Sequence, residues 1–298
     1  MRKRLSPLLT HRLLLGCLFT LLCIPTGLHA FPYTVTDKNY NIRLTQSFER
    51  SFESDLDVPS DGELEIDRSH TNLNIRRAWK EGYIDINGFY EYSDYDFSQN
   101  EVVGIGRDWG FEFAALQHIN RNWSGIGSLR LHFGQEKDAD LGKSFLVDFM
   151  GGAQYAFSDS FRMSFGLLYQ RELESFDLIL PFVSFDWQIT DNVRFHTRNG
   201  IFLDADLMGD GRSVFKTHIQ IQRRQFRLDG ASDELAVDET HWEIGASLRQ
   251  TIYAGFYIEP YFDYMFAREF SVYEDGDKEF ERDVESGFKA GISGGWKF

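Results

Sequence analysis

Beyond residue 30 the chain has no cysteine; its two thiols, Cys17 and Cys23, both lie earlier. Residues 31–298 hold no disulfide, no thiolate metal site and no thiol nucleophile, so their stability must come from architecture. That stretch also lacks an apolar run of the length a transmembrane helix requires, about 20 residues. Basic residues are scarce as well. Lys and Arg number 31 against 46 Asp and Glu, and four of the basic ones (Arg2, Lys3, Arg4, Arg12) fall in the first 30 residues, where no acidic residue occurs. The rest carries 27 against 46, a net charge of −19. Nucleic acid is excluded as a partner, because phosphate binding needs a basic footprint.

The N-terminus reads as a secretory signal peptide over residues 1–30. Its positive residues precede a short apolar core, Leu13 to Ile24; Pro25 and Gly27 break that core, and Ala30 supplies a small residue for cleavage. Leu14-Leu15-Gly16-Cys17 resembles a lipoprotein box, but only three residues separate Arg12 from Gly16, too few for an apolar core.

From Tyr40 onward the sequence alternates with period two between turns. Ile84, Ile86, Gly88, Tyr90 and Tyr92 oppose Asp85, Asn87, Glu91 and Ser93. Phe145, Val147, Phe149 and Gly151 oppose Asp148 and Met150, and Phe256, Ile258, Pro260 and Phe262 oppose Glu259 and Asp263. Such segments cross a bilayer when tilted, at about 9–11 residues each. Short connections (81–82, 120–122, 158–160, 190–192, 253–255) alternate with long ones near 53–67, 98–106, 134–143, 229–240 and 272–285. Trp79, Trp109, Trp123, Phe157, Phe161, Trp187, Phe256, Trp296 and Phe298 fall near the short-turn ends, where an interfacial girdle is expected. These features predict an all-β protein, a transmembrane antiparallel up-and-down β-barrel. Asn199-Gly200 is a strong hairpin signal that splits 193–207 into two short strands. With that split the count is about fourteen strands; twelve is the alternative.

The chain ends on a strict alternation. Phe288, Ala290, Ile292, Gly294, Trp296 and Phe298 lie on one face, with Lys289, Gly291, Ser293, Gly295 and Lys297 on the other. This resembles the terminal strand of bacterial outer-membrane β-barrels. The resemblance covers about 40–298 and implies a Gram-negative-type outer membrane, with Trp296 and Phe298 as the signal read by barrel-assembly machinery. It makes 31–39 a periplasmic lead-in and 40–298 the barrel. Arg223-Arg224-Gln225-Phe226-Arg227-Leu228-Asp229-Gly230 is also similar to a family of outer-membrane barrels, a likeness that implies no particular activity.

The acidic residues of 53–67, 136–140, 229–240 and 274–285 account for the net negative charge and are expected in extracellular loops. There they are simply solvated, or bind divalent cations shared with lipopolysaccharide, or repel anionic solutes. Outer-membrane lipid and lipopolysaccharide are the expected surroundings, and a homo-oligomer is open. No cofactor or metal site is expected. Asp204-Ala205-Asp206 begins like a calcium loop, but Met208 and Phe215 stand where oxygen ligands belong; a turn on Gly209-Asp210-Gly211 fits better.

The inward face is charged. Arg194, His196, Arg198, Lys216, His218 and Arg224 form a basic cluster, with Asp186, Asp204 and Asp206 on adjacent strands and Arg130 and Asp148 elsewhere on that face. They either line a water-filled constriction or pair across the interior and fill it. The functional reading is a porin-like passive channel for small solutes. One alternative is a closed structural or surface-interaction barrel with acidic loops; the other is an outer-membrane lipid hydrolase. No catalytic set is evident: His118 and His132 fall near opposite strand ends, and His241 falls in an acidic loop.

Overall fold

In the computed structural model the described residues are 40–298, without 57–61, 99–101, 175, 230–234 and 254. The signal peptide, both cysteines, the lead-in and the acidic residues Asp57, Asp61, Asp233 and Glu234 lie outside them. The strands are β1 (Tyr40–Asp55), β2 (Glu63–Trp79), β3 (Gly82–Phe97), β4 (Ile105–His118), β5 (Trp123–Glu136), β6 (Phe145–Ala156) and β7 (Phe161–Gln170). They continue as β8 (Leu178–Thr190), β9 (Val193–Thr197), β10 (Gly200–Asp206), β11 (Ser213–Arg227), β12 (Leu235–Tyr253), β13 (Phe256–Glu274), β14 (Asp277–Val284) and β15 (Gly287–Lys297).

Each strand from β1 to β13 pairs antiparallel with the next. β15 then pairs with both β13 and β1, closing the ring. β14 and β15 share one edge of β13: Arg268 to Glu274 pair with β14, and Phe256 to Met265 with β15. The two are one stave, interrupted beside Ala267, whose φ is 48°. Fifteen strands thus build a closed barrel of fourteen staves, and closure leaves neither end of the sheet free, as hydrocarbon requires.

Alternation sets what each face meets. Phe48, Phe149, Leu167, Ile244 and Phe262 all point outward and are 50–58 % exposed, an apolar belt that belongs in lipid. Below it the girdle is continuous: Trp123 lies 4.8 Å from Tyr155, Tyr155 4.8 Å from Phe157, and Phe157 5.3 Å from Phe161. Trp109 is a correction. It sits four residues into β4, at the extracellular end, stacked on Phe133 at 4.8 Å.

The long connections are shorter than expected. Residues 272–284 form the tip of β13 and all of β14, and β12 begins at Leu235. Asp238, Glu239 and His241 therefore lie not in a loop but in β12, and all are buried. The reason is local: Ala236 and Val237 beside them are 3 % and 1 % exposed and seat the strand in an apolar core. That core fills the extracellular end with Leu64, Ile66, Tyr95, Phe226, Phe270, Val272 and Val284. Tyr95 meets Phe226 and Phe270 edge-on at 6.1 and 6.0 Å.

Candidate functional site: a divided barrel interior

The upper half of β11 leaves the wall. Its lower part pairs with β10 as far as Gln220, one further bond runs from the Ile221 N–H to the Asn199 carbonyl, and then that edge pairs with no strand among the described residues until Arg227 bridges Gln135 of β5 in parallel. The approach is close: a Cβ on Gly134 would lie 2.1 Å from the Gln225 carbonyl oxygen. β11 here is a septum with both faces inside the protein. On one face Phe226 enters the apolar core and Arg224 Nε donates to Glu91 at 2.5 Å. On the other, Arg223 grips Glu172 at 2.6 Å, and Arg227 pairs with Glu174 at 2.6 Å and donates to the Lys143 carbonyl at 3.1 Å. Arg223 also pairs with Asp238. Glu172 and Glu174 belong to the β7–β8 connection, which therefore roofs a side lobe made by β6 to β10.

The lobe wall has a gap. β8 pairs with β7 from Leu178 to Trp187, but with β9 only from Asp186 downward. Residues 178–184 thus expose one edge that no strand pairs among the described residues. The Phe185 N–H donates to Thr197 Oγ1, towards β9. Hydrogen-bonding direction repeats every second residue, so Pro181 turns its missing donor to the same open edge, the position where a strand accepts proline. A strand tilted by about 40° climbs about 2.5 Å per residue, so an apolar band of about 25 Å spans about ten residues. Counted up β8 from the girdle residue Trp187, the gap lies at membrane depth. An apolar strip leads to it along the inner wall: Tyr83, Leu116, Ile126, Met150, Leu168 and Phe182, all buried.

Under the apolar core lies a layer of paired charge. Arg68 Nη2 donates to both Glu239 oxygens at 2.5 and 2.6 Å, and the Tyr95 hydroxyl donates to Glu239 at 2.6 Å. Lys289 Nζ lies 2.6 Å from Glu243 and 3.3 Å from Glu49, and the Tyr261 hydroxyl donates to Glu49 at 3.0 Å. Buried charges demand such partners. In the sequence Asp263 and Lys289 fall on the polar faces of their alternating segments, and nothing there sets them apart.

Most of the residues singled out from sequence occupy the lower and middle lumen. The hairpin at Asn199-Gly200 forms as expected, as β9 and β10. Across β9, β10 and β11 the register sets Arg194, Asp204 and Lys216 in one row, and His196, Phe202 and His218 in the next. The first row alternates in sign, so the basic cluster is interrupted by acid. Arg194 Nε donates to Asp186 at 2.7 Å, and Lys216 pairs at 2.6 Å not with an aspartate of the cluster but with Glu259. In the second row His196 stacks on Phe202 at 5.0 Å and Phe202 on His218 at 5.8 Å; His196 Nε2 is 3.5 Å from Asp204. Arg198 stands at the hairpin tip. Asp206, at the foot of β10, accepts from the backbone N–H groups of Gly209 and Gly211, a turn rather than a calcium loop. Arg130 donates to Asp108 at 2.7 Å, and His132 lies between Asp108 at 2.7 Å and Asp148 at 3.7 Å. Arg224 belongs to the septum, apart from the rest. His118 and His132 sit at opposite ends of their strands.

No known family model matches the chain, and no curated protein is detectably similar to it. Solved structures are. An outer-membrane channel from Pseudomonas putida F1 superposes with a TM-score of 0.54 at 10% identity, over 92% of this chain and 100% of that one. A FadL homologue from Pseudomonas aeruginosa gives 0.43 at 9% identity, over 87% and 90% of the two chains. The NanC porin gives 0.41 at 9% identity, over 86% and 100%. The likeness is one of fold, and with the closed ring, the lipid-facing belt and the aromatic girdle it leads to one statement: the chain is an outer-membrane β-barrel.

Proposed function

We propose that the barrel is a non-enzymatic passive channel for small solutes, and that its route leaves sideways through the gap between β8 and β11. The observation that carries this reading is the unpaired edge of β8 over 178–184, at membrane depth in a barrel otherwise closed. An axial route is opposed by the apolar core and by the paired charges beneath it. A sideways route avoids both. It starts in the lower lumen, where Arg194, His196, Asp186, Asp204 and Lys216 are half-buried, and rises along the apolar strip from Tyr83 to Phe182. Apolar walls at membrane depth suit small solutes that also dissolve in lipid, since polar ones would lose hydration there. Trp296 and Phe298 serve assembly in this reading, and the exposed acids of β14 face lipopolysaccharide.

The test exploits the cysteine-free barrel. Val183→Cys and Ile221→Cys, on either side of the gap, are joined by a bifunctional thiol reagent in barrels reconstituted in liposomes. Bridging should abolish uptake of a small aromatic hydrocarbon, while each single variant treated alike keeps it. Uptake unchanged after complete bridging removes the side route. A wild-type barrel that passes neither hydrocarbons nor ions overturns the channel reading.

A further inference from the structure

We propose that His218, Glu243 and Asp263 form a binding site for a divalent transition-metal ion that clamps β11, β12 and β13 together at the root of the septum. Register brings the three together. His218 on β11 pairs with Gly245 on β12, and Gly245 pairs with Asp263 on β13. The middle position of that row has no side chain. A Cβ on Gly245 would fall 1.6 Å from Asp263 Oδ1 and 3.0 Å from His218 Cε1. The glycine therefore leaves a hole through which the outer residues face each other across β12. Glu243, two residues away on the same face of β12, closes the third side.

The distances fit a metal. His218 Nε2 is 3.4 Å from Asp263 Oδ1 and 3.6 Å from a Glu243 oxygen. Two ligands each about 2.1 Å from a tetrahedral ion stand about 3.4 Å apart. The same spacings are too long for good hydrogen bonds. Asp263 Oδ1 and His218 Nε2 make none, although Asp263 is only 2 % exposed. Unsatisfied buried polar atoms are costly, and here they converge on one point. Charge points the same way. Among the described residues Glu49, Glu239, Glu243 and Asp263 share Arg68 and Lys289 as the Lys and Arg cations within 4 Å, with the imidazole of His241 between Glu239 and Glu243. Four negative charges against two leave a deficit that one dication fills. Lys289 Nζ, 2.6 Å from one Glu243 oxygen and 3.6 Å from Asp263 Oδ2, occupies the far side of the carboxylates and leaves the His218 side to the ion. The other Glu243 oxygen, the one that faces His218, also accepts from Gln222 at 3.1 Å and from Gln220. An imidazole nitrogen in the set favours zinc-like ions over calcium or magnesium.

The full barrel, untagged, folded in detergent and stripped with a chelator, is titrated with Zn²⁺ alone and, separately, with Co²⁺ alone. One tightly held ion per barrel is expected, with visible Co²⁺ absorption bands that Zn²⁺ displaces and a higher temperature for the heat-induced gel shift. His218→Ala and Asp263→Asn should each weaken binding at least 100-fold, while His118→Gln at the periplasmic end leaves it intact. Asp263→Asn keeps the side chain's shape, so it reports on binding even where His218→Ala fails to fold. A wild-type barrel that takes up no ion overturns the proposal. So does an ion that survives both substitutions and is lost only with Glu281→Gln, in the exposed cluster of Glu269, Glu281 and Asp283.

Discussion

Gly134→Ala should pull the septum off β5. The added Cβ would sit 2.1 Å from the Gln225 carbonyl oxygen, whereas carbon and carbonyl oxygen come no closer than about 3.3 Å in sheets. The strands must part by about 1.2 Å at that point. Little gives locally, because the atom met is backbone rather than the end of a flexible chain. The parallel bridge at Arg227 and Gln135 is one residue from Gly134 and should go first. Loosening then reaches Arg223 and Arg227, whose pairs with Glu172 and Glu174 roof the lobe. Overpacking of this size costs about 1–3 kcal/mol. The barrel ring itself is untouched, so the variant should assemble, unfold at a modestly lower temperature in a heat-shift gel, and pass ions more readily in a planar bilayer. Wild-type stability together with wild-type conductance would refute the septum as a constraint on the interior.

Two further outcomes test the wall. Phe149→Arg places a charge on the lipid face and should cost about 2–4 kcal/mol, measured by denaturant unfolding in lipid vesicles; Asp148→Asn, on the inner face, should cost far less, and the reverse order would mean the faces are misassigned. Deleting Phe298 should lower the amount of assembled barrel several-fold in outer-membrane fractions, and normal levels would show the terminal aromatic to be incidental.

Alternation made the strands, their faces and the fourteen staves legible, and Asn199-Gly200 marked the short hairpin of β9 and β10. The division of the interior was not read, because period two says which residues share a face and not what that face meets. Yet the signal was present. Gln222, Arg223, Arg224 and Gln225 are polar on both faces, and a strand cannot turn such a run to lipid. The acids at 238–239 were misplaced for the opposite reason. Their charge suggested water, whereas the neighbouring Ala236 and Val237 and the partners Arg68 and Arg223 hold them inside. The metal-site geometry depends on a glycine standing between two ligands on different strands, and spacing along the chain does not reveal such a gap.

The contact between β5 and β11 is parallel, and parity explains why it must be. At the extracellular rim the ring runs through β1 to β5, then β11, β12, β13 and β14, the last joined to β1 by the bridge of Leu56 to Val284. That is nine members, and an odd ring cannot close with every neighbour antiparallel. One seam has to break the rule, and it is the one between two strands that both run upward. Lower down, β6 to β10 enter the circuit, the number becomes even, and the exception disappears. The molecule therefore has two perimeters joined at a fork. The larger is already complete without the smaller, so β11 can part from β5 without breaking any antiparallel ladder of the wall.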